Sequence, residues 1–244
     1  MTHEFLRKLT LGLLGVFASE ALFTNMSLSE ILFDPLTLAI YFFAFAMMDE
    51  FVQKYNFGTK AVFYLGALFG LVLEGFFVAS IHENPFFQII FTSILWHGLI
   101  TVLMSFIIID LFYPRVVSKR LHRGWVAISG AILLAILAFM GIQTFPVIFS
   151  ALPVYTMIGL LILALLYLLY REKDKKALYQ PRSKLGIILL VSGFIIGTIL
   201  QVSSAEGTYQ LSDHVLRFFI AISVLGLVIY RMKKIQHTLL RESP

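Results

Sequence analysis

The stretch from Phe86 to Phe112, FFQIIFTSILWHGLITVLMSFIIIDLF, contains no lysine, arginine or glutamate, and its one carboxylate, Asp110, comes near its end. A run this apolar satisfies its backbone in lipid only as a helix. At 1.5 Å per residue it reaches about 40 Å, enough to cross roughly 30 Å of hydrocarbon. Comparable runs recur near 9–24, 31–48, 60–80, 124–145, 150–170, 185–202 and 213–230. The chain is 59% apolar and 14% charged, well outside the range of soluble domains. The expected class is therefore an all-α polytopic membrane protein of about eight transmembrane helices, forming one integral membrane domain over 1–244. The absence of cysteine excludes disulfides, thiolate ligands and thiol nucleophiles together.

The start, MTHEFLRK, is basic enough to imitate a secretory signal, but Ser19-Glu20-Ala21 makes a poor cleavage site. The first apolar run is thus expected to remain as a structural helix.

Basic residues give an independent map. Arg7 and Lys8, Lys54 and Lys60, Arg115 through Arg123, the run at 171–184, and Arg231 through Arg241 all fall at alternate connections. The opposite connections, 24–30, 81–84, 145–153 and 203–213, carry no lysine or arginine, and Arg217 alone stands apart. The positive-inside rule then predicts a cell-membrane protein with both termini cytoplasmic. The net charge of +5 reads as topology and not as a nucleic-acid face, because no basic helix with interleaved aromatics lies outside those loops. On that side, Asp49, Glu50 and Lys54 are expected as interfacial ion pairs, with Glu50 and Lys54 at i,i+4. Asp110 falls where helix four leaves the membrane, and the basic loops should meet anionic lipid heads.

Prolines 35, 85, 114, 153 and 181 sit at proposed helix ends, and Pro146 at the outer end of helix five, so no helix is expected to break at its centre. An offset of 118 lays residues 71–81 over 189–199 and Gly12 over Gly130. It suggests a weak four-plus-four parallel repeat, with halves 1–118 and 119–236. Glu20 then falls opposite Ala138 and Glu74 opposite Ser192, which assigns the acidic chemistry to the first half.

Glu74 lies six residues before the proposed end of helix three, roughly 9 Å below the outer boundary, and Glu20 about 6 Å below it. His97 falls roughly 16 Å down helix four, near the midplane. These three groups are expected in the outer half, lining one cavity if helices one, three and four meet. An unpaired carboxylate in lipid costs at least about 2 kcal/mol, so Glu74 should face protein or water. It is the first candidate functional residue; a bond to a neighbouring helix would explain it more simply. His97, one turn after Ser93 and beside Trp96 and Gly98, suits a proton relay, a metal ligand or a general base. A neutral histidine bonded across helices is the plainer account. A second cluster gathers His82, Glu83, Glu206, Asp213, His214 and Arg217 at outer connections, where capping and solvent explain much. Arg217 still suits an anionic group or Glu74.

Motifs for zincins, serine hydrolases, phosphate loops and zinc fingers are absent from the sequence. The CAAX-type intramembrane proteases, of similar size and helix count, use EExxxR and a later FxxxH. Here Glu74 stands alone without an arginine four residues on, Phe91 and His97 are six apart, and His214 is followed by Val-Leu-Arg. No family is assigned on that comparison.

Two functions follow. A carrier or permease for a small solute or ion would use Glu74, His97, Glu20, Arg217 and Ser93 as its binding groups, without a cofactor. An intramembrane hydrolase acting on a lipid or membrane-embedded peptide would use Glu74, His97 and Glu20, with a divalent metal such as zinc held by Glu74, His97, His82 and His214. A structural or assembly subunit is the third reading. Membrane lipids are expected partners throughout, and a homo-oligomer or a membrane partner is compatible with each.

Overall fold

The computed structural model describes residues 3–22, 34–78, 80–115, 123–173, 183–203, 219–220 and 222–231. All the regular structure among them is helical. Helix α1 (His3–Val16) continues into a π-helical turn, Phe17–Ala21. Helix α2 is Pro35–Tyr55; α3 is Thr59–Phe77, whose last turn, Leu73–Phe77, is π-helical; α4 is Phe87–Phe112, π-helical as far as Met104. Then come α5 (Arg123–Ser150), α6 (Leu152–Glu172), α7 (Ser183–Ser203) and α8 (Ile222–Arg231).

Among the described residues five helices, α2 to α6, are long and apolar enough to cross a membrane, so the protein is membrane-embedded and helical. The helix starts have visible causes. Asp34 caps α2 by accepting from the Leu36 amide at 3.0 Å and from the Thr37 hydroxyl at 2.5 Å, with Pro35 in the first turn. Asn56 closes the same helix at φ 48°, in the left-handed region that asparagine tolerates better than most residues.

Pro146 behaves differently from expectation. The connection foreseen at 145–153 is almost entirely helical: α5 runs through Pro146 to Ser150, and Ala151 alone separates it from α6. The ring fits because Pro146 lies close to the helix end, where few backbone bonds follow it. Helix α3, conversely, stops at Phe77, so Glu74 is three residues from its end instead of six.

The core is α1 to α4, with α4 the most enclosed helix. Its closest partner is α3, and small residues permit the approach. A Cβ on Gly70 would come within 2.3 Å of the Ser93 carbonyl oxygen, and one on Gly66 within 2.9 Å of Gly98 Cα. Gly66 and Gly70 form the G-x-x-x-G spacing that brings membrane helices into backbone contact. Around this pair, α5 packs on α2 and α6 on α3, while α5 and α6 touch each other little. At the end opposite the basic loops, Leu71, Ile81, Ile89, Tyr155 and Ile158 form a separate apolar cluster that seats the α5–α6 join on α3 and α4. The outer faces of α5, α6 and α7 present leucine, isoleucine and phenylalanine side chains, as a lipid-facing surface requires.

Candidate functional site

Three acidic or imidazole groups stand out from the sequence, Glu20, Glu74 and His97, and each lies in a π-helical segment. Such segments widen the helix and re-aim side chains, and they recur at functional sites. In α4 the wider turn shows in Ser93, whose hydroxyl donates to the carbonyl five residues back, Gln88, at 2.9 Å.

Glu74 and His97 meet. The Glu74 Oε1 lies 3.1 Å from His97 Nε2, and the Ser80 hydroxyl donates to Oε2 at 2.5 Å. The Ser80 amide also donates to the Glu74 carbonyl at 2.9 Å, so the chain after α3 folds back to hold the carboxylate. His97 is 1% exposed, while the Glu74 side chain is 13% exposed. The pair is therefore sealed on the imidazole side and partly open on the carboxylate side. Either Nε2–H donates to an ionised carboxylate, or a protonated carboxyl donates to a bare Nε2. His97 Nδ1 is buried and has no hydrogen-bond partner among the described residues.

Glu20 belongs to the same end of the bundle. Its Oε1 accepts from the Tyr41 hydroxyl at 2.6 Å, and Ser19 Oγ stands 2.5 Å from the same phenol. Trp96 of α4 donates to the Ala18 carbonyl at 3.2 Å, tying the π turn of α1 to the helix that carries His97. Between the two acidic groups sits Phe69. Its ring meets Tyr41 edge-on at 5.4 Å between centroids and His97 at 5.7 Å. Helices α1, α3 and α4 thus bring Glu20, Glu74 and His97 into one neighbourhood, with α2 supplying Tyr41.

The other candidates are placed less favourably. Ser93 is buried beside Gly70, but its hydroxyl is committed to Gln88 within its own helix. His82 lies in the turn before α4 and is half-buried. His214 and Arg217, with Glu206 and Asp213, lie outside the described residues. Among the described residues no group of three or more histidine and carboxylate side chains is placed to hold a metal ion.

A second polar centre, read from the sequence as interfacial, is buried at the basic end of the bundle. Arg7 bonds Asp49 at 2.9 Å and Asp110 at 2.7 Å, and it donates to the Tyr113 carbonyl. Lys8 bonds Glu4 at 2.7 Å and Glu50 at 2.9 Å, and Arg115 bonds Asp110 at 2.8 Å. Side-chain exposure is 3% for Arg7 and 0% for Lys8 and Asp49. Arg7 and Lys8 therefore lock α1 to α2, and Arg7 also ties α1 to the end of α4, in addition to any role in orientation. Adjacent doublets of opposite sign on consecutive helices, Arg7-Lys8 and Asp49-Glu50, are the signal that would have pointed to it. Such burial specifies which helices adjoin more than it adds stability.

No family model matches the chain, and no curated protein or solved structure resembles it significantly.

Proposed function

We propose that the protein is a membrane carrier in which proton exchange at the Glu74–His97 pair is coupled to movement of a small solute. The observation that supports this best is the pair itself, a carboxylate and an imidazole in contact across two helices, half sealed and half open. A proton gained or lost there changes the local charge, and α3 and α4 approach so closely that such a change acts on both. Tyr41 and Glu20 extend the polar path on the far side of Phe69.

Within this reading the chain crosses the cell membrane about eight times, with α1, α7 and α8 completing the set and both termini cytoplasmic. The alternation of basic and neutral connections supports that orientation. A metal-dependent hydrolase needs a third protein ligand beside Glu74 and His97. The bonds of Glu74 to His97 and Ser80 also suit a helix-packing role, which the flux experiment separates from the carrier reading.

The test is proton movement in liposomes that hold the reconstituted protein and a trapped pH dye, with solutes supplied one at a time outside. A solute-dependent proton flux that Glu74→Gln abolishes is the expected result. Flux unchanged in that variant would remove Glu74 from the mechanism.

A further inference from the structure

Helices α5 and α6 stand on different supports and leave a gap between them. In that gap lies a cavity of about 690 Å³, floored by α2 and α3. Its size is within the range of about 300–1,000 Å³ usual for sites that hold small molecules.

Three features define what fits. The lining is carbon along nearly its whole length, with Leu137 on the α5 wall and Leu169 on the α6 wall. The cavity is long: Ile40 and Tyr55 of α2 both line it, and fifteen residues of helix span about 22 Å. Among the described residues its one charged lining residue is Lys173, at the basic end, whose ammonium lies 3.9 Å from the centroid of Tyr170. The rim residues Leu134 and Leu166 are 66% and 46% exposed, so the opening is sideways, through the faces that meet lipid chains. The entrance therefore selects molecules already dissolved in the bilayer.

We propose that this cavity binds a single long alkyl chain with an anionic head, a fatty carboxylate, its head at Lys173 and its chain running to Phe69. The cation and two tyrosine rings that line the cavity, Tyr55 and Tyr170, give the head end its complementarity, since amphipathic rings favour the boundary of the hydrocarbon. The far end of the cavity is formed by Phe69, Leu73 and Phe77. Leu73 and Phe77 bound the π turn that holds Glu74, and Phe69 contacts His97. A chain seated to its full depth packs against the residues that position the proton pair. That the fatty carboxylate is the transported solute rests on the carrier reading; its binding does not.

The experiment is photolabelling in nanodiscs of zwitterionic lipid, with a palmitate analogue carrying a diazirine near its chain end, followed by peptide mapping. Labels are expected on Leu73, Phe77 and their neighbours, suppressed by unlabelled palmitate and by Leu137→Trp, which fills the passage. Losing one exposed charge contact costs about 0.2–1 kcal/mol, so Lys173→Gln should weaken competition by palmitate roughly 1.5- to 5-fold. Label spread over outward residues such as Phe139 and Ile195, and unaffected by Leu137→Trp, would overturn the site. Equal competition by methyl palmitate would overturn the anionic head, and equal competition by the two-chained anionic dipalmitoyl phosphatidic acid the single-chain ligand. None of these outcomes depends on proton flux, so a failure here is distinguishable from a failure of the Glu74–His97 pair.

Discussion

Arg7→Met cuts the link between α1 and two other helices while keeping much of the side chain's apolar volume. Arg7 holds Asp49 and Asp110, whose side chains are 0% and 2% exposed. Removing one partner of a buried ion pair costs about 3–5 kcal/mol, because the other charge stays buried without compensation. Here each acid keeps some support. Asp110 still bonds Arg115 at 2.8 Å, while Asp49 retains Gln53 at 2.6 Å and a distant Lys8 at 3.8 Å. The expected loss is thus near the lower limit, about 3 kcal/mol. It would be read from reversible unfolding in mixed micelles, followed by the fluorescence of Trp96 and Trp125. Adding Asp49→Asn to Arg7→Met removes the stranded charge, so the double variant should lose less than the sum of the single variants, by about 1–3 kcal/mol. A loss below about 0.5 kcal/mol in Arg7→Met, within the range of ordinary surface substitutions, would refute the network as a lock. Strict additivity in the double variant would refute its coupling.

The close approach of α3 and α4 makes Gly70→Ala destabilising by about 1–3 kcal/mol, since the obstacle is the Ser93 backbone. Gly130→Ala, with nothing within 4 Å of the added carbon, should leave stability unchanged or raise it by up to about 1 kcal/mol in the same unfolding assay. Asp34→Ala should cost about 0.5–2 kcal/mol at neutral pH by removing the α2 cap. Burial raises the Asp34 pKa, but hydrogen bonds from the Thr37 hydroxyl and the Thr37 and Leu36 amides outweigh it and hold the carboxyl below its ordinary range. The carboxylate's contribution is therefore complete above about pH 4 and is lost as pH falls through the lowered value. Unfolding of parent and variant across that window should converge at the acid end; a constant gap would rule out the carboxylate as the source.

The helical class was legible because lipid imposes it. Each long apolar run has to close its backbone bonds internally, and α2 to α6 do so close to their expected positions. Glu74 and His97 were legible as candidates for one outer cavity for a related reason: polar groups in apolar helices need partners, and few are within reach. The ion pairs of Arg7 and Lys8 were not legible because a charge near a helix end looks the same in sequence whether it reaches water or another helix. Only the contacts decide, and these span 42 positions to Asp49 and 103 to Asp110. The π-helical segments were illegible for a different reason, since no residue pattern marks a five-residue bond. The offset of 118 superposes glycines in unlike settings, Gly12 against the Phe42 backbone and Gly130 beside open space.

Ala151 alone joins α5 to α6, and the apolar cluster around Tyr155 pins that join to the core. The two helices consequently resemble the arms of a pair of callipers, fixed at one tip. The join holds their spacing constant there, so a change in spacing falls mainly at the other end, against the packing of α5 on α2 and of α6 on α3. Along the 21 residues of α6, about 31 Å, a rotation of about 5° moves the free end about 3 Å. The leverage is thus greatest where Lys173 sits and smallest beside Tyr155. In a bilayer, lateral pressure on the exposed outer faces of α5 and α6 would therefore act on the gap most strongly at the Lys173 end.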